Sequence, residues 1–133
     1  MHRLLCFALL LIVFPFAMQQ TAGRGACKCG VFPMEMSKLI IERSLELNVT
    51  CDSEGEEKCL RLCAALAESV REKAPHLICK KLNVQVENMW VEVYARICDA
   101  TAWKFTGLRS AEPLCCHDGK SIPCRELAAS IVD

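Results

Sequence analysis

The chain has 133 residues, with 16 Lys and Arg against 16 Asp and Glu, and it contains 11 Cys, 6 Gly, 5 Pro and a single Tyr. Balanced, interspersed charge gives neither nucleic acid nor an anionic membrane an electrostatic reason to bind. So few Gly, Pro and Tyr exclude a low-complexity fibrous matrix protein.

The amino terminus reads as a secretory signal peptide over residues 1–23. Arg3 supplies the positive charge, Leu4 to Met18 is a continuous apolar run, and Thr21 and Gly23 are the small residues that precede a cut after Gly23. The run is shorter than the roughly 20 residues that a bilayer core demands, and Pro15 interrupts it. Cleavage removes Cys6 and leaves residues 24–133 as one domain with ten cysteines. In an oxidising compartment that count predicts up to five disulfides, supplementing a modest apolar core. The mature form is expected to be extracellular and free of the membrane.

In chain order, "CKCGVF" places Cys27 and Cys29 two apart, on one face of an extended strand. "MEMSKLIIERSLEL" follows, and Met36, Leu39, Ile40 and Leu47 predict a helix there. It stops at the polar "NVTCDSEG", whose Asn48-Val49-Thr50 is an acceptor sequence for N-glycosylation at Asn48. Cys51 lies in the same stretch. A second helix is predicted from Ser53, with a capping box to Glu56, as far as Pro75. Its buried face carries Cys59, Leu62, Cys63, Leu66 and Val70. Cysteines two apart on a strand and four apart on a helix can face each other as parallel rungs, so Cys27 and Cys29 are expected to bridge to Cys59 and Cys63, in either order.

Beyond Cys79 the period changes to that of a strand running to Cys98. Val91, Val93, Ala95 and Ile97 line one face, and Trp90, Glu92, Tyr94 and Arg96 line a wetter one. Trp90 and Tyr94 are the candidate binding surface, because exposed aromatics make good interface anchors. A short strand is possible at Trp103 to Phe105. "LCCHDGKSIPC" then reads as strand, Asp-Gly turn, strand. Adjacent strand residues face opposite sides, so Cys115 and Cys116 need two different partners, with Cys124 across the turn. The fold class expected is α+β: a small disulfide-rich single domain with one or two helices on a short antiparallel sheet.

His117 and Asp118 fall in the turn, without the cleft and orienting partner that acid-base chemistry needs. They lack the helical spacing and calcium loop of secreted phospholipases. Glycine-flanked serines and Cys-x-x-Cys redox pairs are missing as well. Structural zinc would need free thiolates, which oxidising conditions disfavour. No enzyme, cofactor or metal is expected.

Taken whole, the cysteine ladder resembles the small secreted insect follicle cell proteins of the 3C type. The matching features are "CKCGVF", Cys51, Cys59, Cys63 and Cys79 at intervals of seven, three and fifteen residues, the strand ending in Cys98, and the closing "CCHDG" and Cys124. The chain departs from that ladder in having Val84 and Val86, and no cysteine, between Cys79 and Cys98. The resemblance implies secretion by a follicle or gland epithelium and an extracellular role around the egg coat, with a protein or matrix partner. It carries no catalytic residues. The alternatives are a carrier of small apolar ligands, like the all-helical odorant-binding proteins, and a venom or saliva toxin.

Overall fold

A computed structural model describes residues 23–35 and 38–125. The signal-peptide segment lies outside the described residues, apart from Gly23 at its end. Two helices pack on two antiparallel sheets, an α+β arrangement. The strands are β1 (Arg24–Pro33), β2 (Ile41–Thr50), β3 (Val86–Met89), β4 (Val91–Ile97), β5 (Lys104–Arg109), β6 (Leu114–His117) and β7 (Lys120–Ile122). The helices, α1 (Ser53–Ser69) and α2 (Ala74–Leu82), lie between β2 and β3 in the chain. One sheet has the order β2-β1-β4-β5 and the other β3-β6-β7.

Met36 of the segment predicted as a first helix lies outside the described residues, and from Ile41 onward that segment is strand β2. Its residues are good helix formers, but Ile41, Leu45, Leu47 and Val49 also alternate, and Val49 is fully buried in the core. β1, central in its sheet, takes β2 as a neighbour along most of its length, from Arg24 opposite Thr50 to Val31 opposite Ile41. Tertiary pairing overrides intrinsic propensity here.

α1 forms where the periodicity predicts, but its cap is Asp52 rather than Ser53. The Asp52 side chain accepts from the Gly55 N–H at 2.9 Å and from the Thr50 hydroxyl at 2.7 Å, and these bonds, the Gly55 one foremost, hold its carboxyl below the ordinary value of 3.8. The stabilisation from this cap is therefore present above that value and lost as the pH falls through the lower folded value. α1 ends at Ser69, before Pro75. Pro75 instead opens α2, whose first turn has no use for the missing N–H, and His76 lies exposed in that same turn.

The long strand predicted towards Cys98 is two strands in different sheets. The chain leaves β3 and crosses at Trp90 into β4, with Asn88 in the left-handed region at φ 52°. Val84 lies before either strand and is exposed. The hairpin at Asp118-Gly119 forms as read: both residues have positive φ, 53° and 73°, as a type I′ turn requires, and β6 pairs with β7 around it.

Five disulfides tie these elements. Cys27–Cys59 and Cys29–Cys63 are two rungs between β1 and α1, and Cys51–Cys98 joins the end of β2 to the residue after β4. Cys79–Cys116 joins α2 to β6, and Cys115–Cys124 closes the hairpin. The first three belong to a core built by Val49, Val93, Ala95 and Ile97 under α1. Cys79–Cys116 belongs to a second core of Ile40, Ile78, Val91 and Leu114, whereas Cys115–Cys124 lies on the opposite side of β6. No bridge connects the two cores.

Candidate interaction surface

Strand alternation sends Cys27, Cys29, Val93 and Ala95 towards α1, so their neighbours Phe32, Glu92, Tyr94 and Arg96 face away from it. That outer face is not the wet one expected. Tyr94 and Glu92 are buried, at 9 % and 4 % exposure, because aromatic rings from β1, β5 and the loop before β5 cover them. Phe32 meets Tyr94 and Trp103 edge-on, with ring centroids 5.2 and 5.4 Å apart, and Phe105 tilts over Tyr94 at 5.3 Å. Gly30 makes room for Trp103: a Cβ there would lie 3.0 Å from the indole ring.

Two arginines complete the row. Arg96 lies over Trp103 at 4.5 Å and reaches Glu42 at 3.0 Å, and Arg109 lies over Phe105 at 5.2 Å while its Nε donates to Glu92 at 2.7 Å. Each cation sits on a ring face, where the quadrupole attracts it, and also meets a carboxylate. The result is a chain of contacts from Glu42 through Arg96, Trp103, Phe32, Tyr94 and Phe105 to Arg109 and Glu92. Phe105 is the ring in it that remains exposed.

Of the two predicted surface residues, the structure exposes one. Trp90 is 41 % exposed at the crossing between β3 and β4, where its carbonyl accepts from the N–H of Met34, itself exposed, at 2.8 Å. Tyr94 is packed beneath its neighbours and braces the surface without presenting itself. Sequence reasoning missed Phe32, Trp103, Phe105 and Arg109. The signal was the pair of aromatics, Trp103 and Phe105, in the segment read as a short strand, although the strand itself, β5, begins at Lys104.

Burial, then the charge of Glu92 and the hydrogen bond that the Tyr94 hydroxyl donates to it at 3.4 Å, raise the Tyr94 phenol above its ordinary 10.0, with Arg109 opposing. A raised folded value means that the associated stability is present below pH 10 and is lost as the pH rises through the folded value. Tyr94 is the chain's one tyrosine, so absorbance at 295 nm reports it alone. Native protein is expected to titrate later than the reduced, denatured chain, and Glu92→Gln to narrow the gap. Coincident curves would mean that the ring is not buried.

At the hairpin, His117 ends β6 instead of lying in the turn, Asp118 opens the turn, and both are exposed, with 3.4 Å between His117 Nε2 and Asp118 Oδ2. Cys115 and Cys116 point to opposite sides and reach Cys124 and Cys79. The sulfurs of Cys27, Cys29 and Cys63 lie within 4.8 Å of one another. All three are consumed by bridges, and the thiolate is the form that ligates metal. Asn48 is exposed on β2. Two shallow hollows, of about 260 and 150 Å³, are lined mainly by polar and charged residues, among them Glu68, Arg71 and Lys73 in the first and Arg24, Glu54 and Lys58 in the second.

The chain matches no family model, no curated protein and no solved structure. Five bridges in so short a chain are consistent with a stable extracellular protein. Among the described residues no helix is long and apolar enough to cross a membrane.

Proposed function

We propose that this is a secreted, non-catalytic protein that works by its surface, as a structural component or interaction partner of an egg coat. The observation that carries the reading is the use of the chemistry-bearing side chains. The ten cysteines from Cys27 to Cys124 are all spent on bridges, and Phe32, Tyr94, Trp103 and Phe105 are gathered with Arg96 and Arg109 on the outward sheet face. The ladder's resemblance to insect follicle cell proteins supports the tissue. Phe105 on that face and Trp90 at the sheet crossing are the proposed contact residues, and an extracellular protein or matrix component is the proposed partner.

A carrier of apolar ligands is the weaker reading, because its model is an all-helical chain around an apolar cavity. Among the described residues strands outnumber helices, and charged and polar residues make up most of the lining of the two hollows.

Antibody raised against the folded protein separates these readings on tissue sections. Label over the follicle epithelium and in the egg coat is the expected result, whereas label confined to venom or salivary glands, or to chemosensory fluid, would replace the proposal with the toxin or the carrier. Phe105→Ala and Trp90→Ala are each expected to weaken retention on solubilised coat material several-fold. Unchanged retention of both would remove this surface from the proposal.

A further inference from the structure

β2 is the outer strand of the four-stranded sheet, and ten residues make it long for an edge. An open edge offers unpaired N–H and C=O groups to any second strand, and proteins guard such edges with charge, irregularity or brevity. The other edges have such guards: β5 carries Lys104, Arg109 and a register shift against β4, while β3 and β7 span only four and three residues. On β2 the charges are Glu42, Arg43 and Glu46, and the register irregularity falls between Ser44 and Asn48. From Leu47 to Thr50 the edge has no charge, and Leu47 is 38 % exposed.

The acceptor sequence Asn48-Val49-Thr50 occupies this unguarded end. Val49 is buried against the core under α1, so strand alternation directs Asn48 to the opposite face, where it is exposed beside the small Ala26 of β1. We propose that Asn48 carries an N-linked glycan whose role is to keep this edge from pairing with a second copy of the chain. The modification rests on the secretory reading, since the donor is a lipid-pyrophosphate-linked oligosaccharide of the secretory pathway. The Asn48 amide nitrogen attacks the anomeric carbon of that donor. A C–N bond forms, the C–O bond to pyrophosphate breaks, the lipid pyrophosphate leaves with the electron pair, and the amide proton passes to a base of the transferase. The bulky, hydrated product then stands over the uncharged segment of β2 and excludes an incoming strand sterically.

The test expresses the full chain, with its own leader, in a eukaryotic secretory host. The medium is collected, and intact mass is measured before and after peptide-N-glycosidase treatment. Size-exclusion chromatography with light scattering follows. The expected results are secreted protein that loses one glycan at Asn48 on digestion, a monomer while glycosylated, and dimers or larger species once deglycosylated. Asn48→Gln is expected to associate likewise, and Asn48→Gln with Leu47→Lys, which restores a charge to the edge, to return to monomer. A secreted chain with unmodified Asn48 overturns the glycan and leaves secretion intact, whereas a chain retained and unmodified in the cell overturns both. A deglycosylated protein that stays monomeric overturns the guarding role.

Discussion

Gly55→Ala is expected to destabilise the protein severely, although alanine is the better helix former by about 1 kcal/mol. Gly55 is buried in the first turn of α1, where the helix start rests on the end of β2. A Cβ there would fall 1.6 Å from the Thr50 carbonyl oxygen and 2.6 Å from its carbon, and backbone cannot swing aside as a side chain can. The helix cannot retreat either. Cys59 and Cys63 follow Gly55 on the same face at intervals of four, and both are bonded to β1. The loss should reach about 3 kcal/mol, the upper range of overpacking, and lower the melting temperature by roughly 10 °C or more. Ser53→Ala, two residues earlier and exposed, is the control expected to change little. A Gly55→Ala protein that melts with the wild type would mean that α1 does not begin against Thr50.

The bridges are expected to differ in what they contribute. Cys29 and Cys63 are 34 residues apart in sequence, whereas Cys115 and Cys124 are 9 apart. With Cys27–Cys59 intact, however, Cys29–Cys63 closes only the short ring that runs back through that neighbouring rung, so chain entropy gives each of the two bridges about 2.5 kcal/mol. Burial sets them apart, because Cys63 is 1 % exposed and its removal leaves a void beside the other rung, whose Cys27 sulfur is 4.0 Å away. Paired alanine replacement of Cys29 and Cys63 should therefore shift the denaturant midpoint well beyond the shift from Cys115 and Cys124. Equal shifts would show that loop closure, and not local packing, sets the contribution of each bridge.

How much of this was legible in the sequence follows the range of the interactions involved. α1 was legible because its signal is local: acidic residues near the start and a three-four repeat of Cys59, Cys63 and Leu66. The Asp118-Gly119 hairpin was legible for the same reason, since two residues with positive φ fix the turn. β2 was misread because its Glu, Leu and Arg content favours a helix, and only β1, some 20 residues upstream, makes it a strand. The break before β4 did have a signal, which went unread: the apolar positions are even at Val84 and Val86 and odd from Met89 to Ile97, so the alternation changes phase between them. Tyr94 was misplaced because the strand's own pattern cannot show that Phe32 and Phe105, from distant segments, close over it.

The order of the bridges along the chain has a mechanical consequence. If the molecule were pulled between Cys29 and Cys124, tension would pass from Cys29 to Cys63, along the chain to Cys79, across to Cys116, and through Cys115 to Cys124. The fifteen residues between Cys63 and Cys79 are the one long run of backbone on that route. Fully drawn out they span about 55 Å, where the unbridged chain from Cys29 to Cys124 would reach roughly 300 Å. Under load, the end of α1 and the turn into α2 would give way while the sheets remained slack, so that in any stretched assembly this protein is a short, stiff link with a single extensible segment.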